Sequence, residues 1–245
     1  MIVLPLLFAC RPPSAAVPTG GSTWIVVAVS ATPDRLVTST SWLQVAHARA
    51  DEATVSTVRA EGTWETPDGS GSWASDVVDD ATPWPLRIQH AVAEVPAAFA
   101  WSDDGSPTRL IDPDGWREQV VVALAALELP TEALSTVTNV VDPDGLLRDL
   151  RRTFPGDPPP SGPWVREEGF GARVLTRTET CARAVDGGTV TWRCSGAIDG
   201  DGVSEGAATT SLVVDRRGLV EVESRWEALI AGVGPVGVRR LVVRE

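Results

Sequence analysis

The sequence contains no lysine, and all 21 of its basic residues are arginine. That absence excludes Schiff-base and other lysine chemistry. Only two histidines occur, His47 and His90, so few imidazole groups are present to act as bases or metal ligands. No stretch approaches the roughly 20 consecutive apolar residues of a membrane-spanning helix. Any membrane contact of the mature chain must therefore come from an anchor.

Positive charge is also scarce, because the chain has 33 acidic residues and only 21 basic ones, which gives a net charge of −12. A phosphate backbone is bound by Lys and Arg that replace its counterions, so this balance argues against a nucleic-acid partner. The 245 residues are 43% hydrophobic and 22% charged, which is typical of a globular protein that can bury a sizeable core.

The first of only three cysteines, Cys10, follows a short apolar run at residues 2–8 and a small residue, Ala9. A stretch rich in Pro, Gly and Ser comes directly after it. An apolar segment, a small residue and a flexible tether in succession are typical of a removable targeting segment. The alternative is an edge strand at residues 2–9 that buries a free thiol, although Arg-Pro-Pro directly after Cys10 makes a poor strand.

This opening resembles the bacterial lipoprotein signal, with Leu7 to Cys10 as the lipobox. The resemblance implies that residues 1–9 are a signal peptide, that Cys10 is lipidated, and that residues 10–22 form a tether. It also implies a partner, the membrane, reached through the acylated Cys10. Arg11 stands where an Asp favours inner-membrane retention in this family, so the implied location is the outer membrane of the cell envelope.

The other two cysteines, Cys181 and Cys194, flank a hairpin signal at Asp186-Gly187-Gly188. With Gly187 and Gly188 as the loop, counting outward places Cys181 opposite Cys194 in a non-hydrogen-bonded pair, where a disulfide forms easily. A three-residue loop would instead place the sulfurs on opposite faces and leave two thiols. The predicted disulfide agrees with an oxidising compartment.

Strand and helix patterns divide the remaining chain into three blocks. Thr, Val and Trp-rich runs predict strands at about 23–30, 35–45, 53–65, 86–95 and 97–102. Two Asp-Pro-Asp-Gly sequences, at 112–115 and 142–145, predict helix starts with Asp as N-cap and Pro at the first turn. A third short helix is predicted to begin at Thr131. After a Pro-rich segment at 154–164 strands resume, with clear alternation at 219–230 that predicts Val220, Val222 and Trp226 on one face.

Strands, then helices, then strands predict a single α+β domain over residues 23–245, with strands at 23–110, helices at 112–154 and strands at 164–245. The predicted fold is a curved, mostly antiparallel β-sheet, a half-barrel, with a central block of two or three helices packed on its concave face. In its order of elements the chain resembles the LolA- and LppX-type half-barrel envelope lipoproteins. That resemblance implies an apolar cavity for acyl chains, and it assigns no ligand-binding residue.

No catalytic constellation emerges from the sequence, and no cofactor or metal site is predicted. Residues 202–206 match the G-x-S-x-G nucleophile pattern, but no histidine follows in the chain and the serine lies in a loop that leads into a strand. The acidic neighbours of that loop, Asp199 and Asp201, fail the EF-hand pattern but leave a loose calcium site open. His90 is predicted as a core residue on a strand face, and His47 as an isolated histidine.

Ten tryptophans remain to be placed. Those in predicted strands, Trp24, Trp192 and Trp226, are expected in the core, and those near turns could line a pocket rim or a partner surface (Trp42, Trp73, Trp84, Trp101 and Trp164).

The function predicted is a lipid-anchored envelope protein that binds a hydrophobic ligand or lipid in a half-barrel cavity. The alternative is a non-catalytic interaction module whose cavity is filled by side chains. An enzyme with an unrecognised site ranks last.

Overall fold

The computed structural model of the protein describes residues 21–49, 51–77, 84–127, 142–170 and 173–245. The predicted signal peptide, Cys10, nearly all of the predicted tether and the helix expected at Thr131 lie outside these residues. Among the described residues, no helix is long and apolar enough to cross a membrane.

Twelve strands make up most of the described chain. Six precede the central helical region: β1 Gly21–Thr32, β2 Arg35–Arg49, β3 Glu52–Thr66, β4 Gly69–Ala74, β5 Ala97–Trp101 and β6 Pro107–Leu110. Six follow it: β7 Trp164–Phe170, β8 Arg173–Asp186, β9 Thr189–Asp199, β10 Val203–Asp215, β11 Gly218–Ile230 and β12 Gly234–Arg244. The strands predicted at 35–45, 53–65 and 97–102 are thus confirmed.

All twelve strands belong to one open sheet in the order β6-β5-β3-β2-β1-β12-β11-β10-β9-β8-β7, with β4 paired to β3. Each pairing described is antiparallel, and β1 pairs with β12 so that Trp24 lies opposite Arg244. The first and last strands therefore join the two halves of the chain into one sheet. A mostly antiparallel, open and curved sheet agrees with the half-barrel prediction.

Three α-helices are described: α1 Trp84–Glu94, α2 Pro113–Ala125 and α3 Pro143–Thr153. The prediction of a strand at 86–95 is wrong, because α1 occupies that segment. Its apolar residues also repeat at helical spacing: Ile88 and Ala91 are buried, and Val92 and Val95 pack against the same core. A short apolar run is compatible with both periods, and here tertiary packing selects the helix.

The two Asp-Pro starts are confirmed as helix caps. The Asp112 carboxylate accepts a hydrogen bond from the Gly115 amide at 3.0 Å, at the start of α2. The Asp142 carboxylate accepts from the amides of Asp144 and Gly145 at 3.1 and 3.0 Å, at the start of α3. These bonds satisfy amide groups that have no partner within the helix.

Helix α3 contacts strands at opposite ends of the sheet order. Arg151 donates hydrogen bonds of 2.9 and 2.7 Å to main-chain carbonyls of β6. Arg152 lies 2.8 Å from Glu168 of β7. In the middle of the sheet, Arg240 of β12 donates to the Asp149 carbonyl of α3 at 3.3 Å. One helix of three turns thus contacts both outer strands and a central strand, which agrees with a curved sheet.

Aromatic side chains form the centre of the main core. Trp24 and Phe154 are fully buried, with ring centroids 5.0 Å apart, and Trp101 packs on Phe154 at 5.4 Å. A second, smaller cluster surrounds Trp226, which packs on Phe170 at 6.0 Å. Two tryptophans considered for a pocket rim, Trp101 and Trp164, are instead buried.

The predicted inward face of residues 219–230 is correct except at its start. Leu219 is fully buried and Val220 is only partly buried. The pairs Val213–Glu221 and Val214–Leu219 leave Val220 as an extra residue on β11. Such a β-bulge exchanges the two faces of a strand, because side chains alternate with period two.

Candidate functional site

The face of the sheet that carries Trp24 is here called the core face, because Trp24 packs there against Phe154, the residue directly after α3. Pairing registers extend this face across the sheet. Val242 and Arg240 of β12 lie on it, opposite Val26 and Ala28 of β1. Strand alternation therefore decides which polar side chains are turned towards the helices.

Arg240 lines two cavities. The larger of these two, about 500 Å³ in volume, lies between the core face and the helices and is here called the larger cavity. Its walls come from β1, β2, β3, β5, β12 and all three helices, and they include Leu43, Val55, Phe99, Leu146 and Leu150. The volume falls within the range of small-molecule sites in proteins, roughly 300 to 1,000 Å³. The core is thus incompletely filled by its own side chains.

A second cavity of about 280 Å³ is here called the smaller cavity, and it has more polar walls. Hydroxyl groups of Ser30, Ser39 and Ser224 line it together with the guanidinium groups of Arg152 and Arg240. Arg240 also lines the larger cavity. The two cavities therefore share one positively charged wall residue.

A group of ionisable side chains on the core face includes two that line the smaller cavity, Arg152 and Glu168. Arg177 is 1% exposed and Glu179 is fully buried, and Nη2 of Arg177 lies 3.1 Å from Oε1 of Glu179. Arg166 also forms an ion pair with Glu179. The Thr210 hydroxyl lies 2.9 Å from Oε1 of the same carboxylate. We call these residues, together with Arg152 and Glu168, the charge cluster.

Glu168 links β7 and β8 to helix α3. It lies 2.8 Å from Nε of Arg152 and 3.4 Å from Nη1 of Arg177. Arg152 also pairs with the exposed carboxylate of Asp149 at 2.7 Å. A Cβ at Gly169 would lie only 2.1 Å from Nη2 of Arg152, so glycine at this position lets the arginine reach the strand.

Burial and mutual charge perturb the cluster. Burial, followed by repulsion from Arg177, lowers the pKa of Arg166 to about 10. Burial alone would raise the pKa of Glu179, but Arg166 and Arg177 outweigh it and hold that pKa below its ordinary value. Arg166 also stacks over the Trp164 ring at 3.8 Å from its centroid. Arg166 and Glu179 are therefore both charged at neutral pH.

Arg240 differs from the arginines of the charge cluster, Arg152, Arg166 and Arg177, because no carboxylate among the described residues lies within 4.0 Å of it. Its Nη1 donates to the Asp149 carbonyl at 3.3 Å and to the Thr153 hydroxyl at 3.4 Å, and both acceptors are neutral. Burial lowers the pKa of Arg240, partly offset by the more distant charges of Asp149 and Glu168. Its positive charge is therefore poorly compensated.

The two cysteines predicted to pair form a disulfide between β8 and β9. Cys181 lies opposite Cys194 with a Cα–Cα distance of 4.0 Å, and Asp186 lies opposite Thr189. The loop is thus the two-residue Gly187-Gly188 turn, and both glycines have positive φ, as such turns require. Cys194 is buried against the main core.

The two histidines lie on different elements. His90 is on α1 rather than on a strand face, and its Nε2 lies 3.4 Å from Glu94 one turn later. His47 packs against Trp101 at 6.1 Å, and burial lowers its pKa. Within the described ranges, no group of three or more His, Cys, Asp or Glu side chains could hold a metal ion.

The G-x-S-x-G sequence lies at the start of β10, where Val203 begins the strand and a bulge falls between Ser204 and Ala207. Glu205, within the bulge, has a positive φ of 54°. Ser204 thus lies in the first residues of a strand, and not on the strand-to-helix turn that a nucleophile elbow needs. The predicted loop ends earlier than expected, because Ser204 already belongs to β10, but it leads into a strand as predicted.

Sequence reasoning missed the charge cluster, although a signal for it was present. The alternation that places Cys181 inward also places Glu179 and Arg177 on the core face. In β7, the same alternation places Arg166 and Glu168 there, opposite Arg177 and Leu175 of β8. Extending the cysteine register by two residues along β8 was enough to find the buried carboxylate.

Comparison with known proteins gives a likeness of fold. No protein-family model and no curated protein sequence matches the chain. A solved structure titled "Lipid-protein interactions in lipovitellin" matches with a TM-score of 0.54 and 11% sequence identity, over 96% of this chain and 25% of that chain. The chain thus spans about a quarter of the length of the lipovitellin chain that it matches.

Proposed function

We propose that this protein binds a hydrophobic ligand or lipid in the larger cavity. The observation that carries the proposal is the cavity itself, about 500 Å³ in volume and lined largely by apolar side chains. Sites for small molecules are typically concave and mostly apolar, with a few placed polar groups. The likeness to lipovitellin, whose structure concerns lipid–protein interactions, supports the same function.

We also infer that the helices occupy the concave side of the half-barrel, in an α+β arrangement. Helix α3 reaches β6, β7 and β12 at once, which a helix on the convex side could not do. The cavity then lies between the sheet and the helices. The alternative of an interaction module with a filled interior is disfavoured because the cavity has room for a ligand.

The proposed role is binding and not catalysis. The sequence argument is that both histidines precede residue 91, far from the G-x-S-x-G segment at 202–206. In the structure His47 packs against Trp101, and His90 lies on a helix. These positions do not form the nucleophile and base pair on which acyl transfer depends.

We propose further that Cys10 is lipidated and anchors the protein in the bacterial cell envelope, at the outer membrane. The support is the apolar run, small residue and cysteine at residues 2–10. The disulfide between Cys181 and Cys194 agrees with an oxidising compartment. Intact-mass spectrometry of chain extracted from bacterial membranes should show acylation at Cys10, and Cys10→Ser should move the protein to the soluble fraction. An unacylated native chain would refute the anchor alone.

Ligand binding is tested with the neutral apolar dye N-phenylnaphthylamine, whose fluorescence rises when it enters an apolar environment. We expect the full chain to bind the dye, and Ser41→Phe to weaken that binding because Ser41 lines the larger cavity. The matched control is Ser195→Phe, since Ser195 is exposed on β9. Equal dye binding by both variants, or none by the unmodified chain, would contradict the proposal.

A further inference from the structure

The junction of the two cavities indicates the chemistry of the ligand. Arg240 lines both the larger and the smaller cavity, so its guanidinium group lies where an apolar space meets a polar one. On the polar side, Ser30, Ser39 and Ser224 line the same cavity, and the Ser224 oxygen accepts a hydrogen bond from Arg177 at 2.6 Å, which leaves its hydroxyl proton for a ligand. A cation beside hydroxyl donors is a suitable environment for an anion.

The charge of Arg240 is available to a ligand. Arg152, Arg166 and Arg177 each have a carboxylate partner within 4.0 Å. Arg240 has none among the described residues, and its two hydrogen bonds go to neutral oxygens at 3.3 and 3.4 Å. A sheltered charge without a counterion is costly, and a bound anion would remove that cost.

The carboxylates near the cavities are already engaged. Glu168 pairs with Arg152 and Arg177, and Asp149, which lines the larger cavity, pairs with Arg152 at 2.7 Å. Asp142, also in that wall, caps α3. These three carboxylates therefore bind groups other than Arg240.

We propose that the ligand is an amphiphile with one anionic headgroup, a carboxylate or a phosphate ester, whose chain occupies the larger cavity and whose headgroup is bound by Arg240. This inference rests on the proposed function and adds the class of ligand to it. The larger, apolar cavity accepts the chain, and the smaller cavity accepts the head beside the serine hydroxyls. A bidentate contact is available because a guanidinium group matches both carboxylate and phosphate geometry.

The test is displacement of N-phenylnaphthylamine from the full chain at neutral pH by decanoate, decyl phosphate and decanol. Without a cation at the site, decanol should displace best, because burying a charged head costs desolvation. We expect instead that at least one of the two anions displaces the dye at a concentration about tenfold below that of decanol. Which anion is preferred distinguishes a fatty-acid-like ligand from a phosphate ester.

The matched variants are Arg240→Gln and Arg239→Gln. Arg239 directly precedes Arg240 in β12, and its side chain is 59% exposed. Arg239→Gln should therefore keep the preference for an anion. Arg240→Gln should still bind the neutral dye, but the roughly tenfold preference for an anion over decanol should disappear. Arg240→Lys, which keeps the charge, should retain part of it.

The outcomes separate the two proposals. Dye binding with equal or better displacement by decanol overturns the anionic headgroup and leaves the hydrophobic site. Failure of the dye to bind overturns the proposed function itself. If Arg240→Gln does not fold because Arg240 supports α3, the comparison of decanol with the anions on the unmodified chain decides the question.

Discussion

Replacing Glu179 by Gln removes one negative charge from a fully buried site and leaves two arginines around a neutral amide. The carboxylate receives ion pairs from Arg166 and Arg177, and the Thr210 hydroxyl bonds to it at 2.9 Å. Gln has nearly the same shape, so the change creates no cavity. Its amide NH₂, however, is a donor and would face guanidinium donors.

The expected magnitude follows from this uncompensated charge. Breaking a buried ion pair by removing one partner costs about 3–5 kcal/mol, because the remaining charge stays buried. That is a large share of the roughly 5–15 kcal/mol by which proteins are stable. For a chain of this size it corresponds to a fall in Tm of about 6–20 °C.

The measurement is the free energy of unfolding from urea titration followed by tryptophan fluorescence, with Tm from calorimetry. Glu223→Gln is the matched control, because Glu223 pairs with Arg239 at 2.7 Å on the surface, with side chains 42% and 59% exposed. That exposed pair should contribute below about 1 kcal/mol. If both variants lose equally little stability, the cluster does not depend on the Glu179 charge and the reasoning is refuted.

The same site predicts acid lability. The pKa of Glu179 is below its ordinary value of 4.5 in the folded protein, so the unfolded chain binds this proton first as pH falls. Its contribution is therefore fully present above pH 4.5 and is lost progressively as pH falls from there through the folded pKa. The unfolding free energy of Glu179→Gln should fall less steeply over this interval than that of the unmodified chain.

Two further substitutions test the core and the hairpin. Replacing Cys181 and Cys194 together by Ala should lower the free energy of unfolding by about 3 kcal/mol, because the bridge closes a short loop. Dithiothreitol should lower it by the same amount in the unmodified chain. An unchanged urea midpoint in dithiothreitol would contradict this expectation. Phe154→Ala should cost about 3–5 kcal/mol, because Phe154 is fully buried between Trp24 and Trp101. A loss below 1 kcal/mol would mean that this aromatic cluster is not well packed.

Local chemistry was enough to predict the turns, the caps and the disulfide. Gly187-Gly188 determines the register of its hairpin, and Asp112 and Asp142 identify two helix starts, because each signal acts within a few residues. The strand predicted at 86–95 is wrong because the apolar residues of that segment fit both a strand and a helix. Only the packing of Ile88 and Ala91 into the core distinguishes them, and that contact depends on residues distant in sequence.

The resemblance to half-barrel proteins predicts that an interior cavity exists, but the sequence does not predict where the cavities lie. A half-barrel resemblance implies an interior space, yet the position of that space depends on which strands are neighbours. β1 pairs with β12, and this pairing brings Arg240 beside Ala28. Two segments more than 200 residues apart in sequence thus form the wall between the larger and smaller cavities.

The charge cluster explains how an incompletely filled interior can keep a defined shape. Helix α3 packs on the core through Leu146 and Leu150. It is also held by polar contacts, with Arg151 on β6 carbonyls, Arg152 on Glu168 and Arg240 on the Asp149 carbonyl. Buried ion pairs add little net stability, but they require particular distances and directions. An apolar helix could collapse onto the sheet and close the space beneath it. We expect a helix that is held by arginines at both edges to keep its distance from the sheet, so that the cavities beside it stay open.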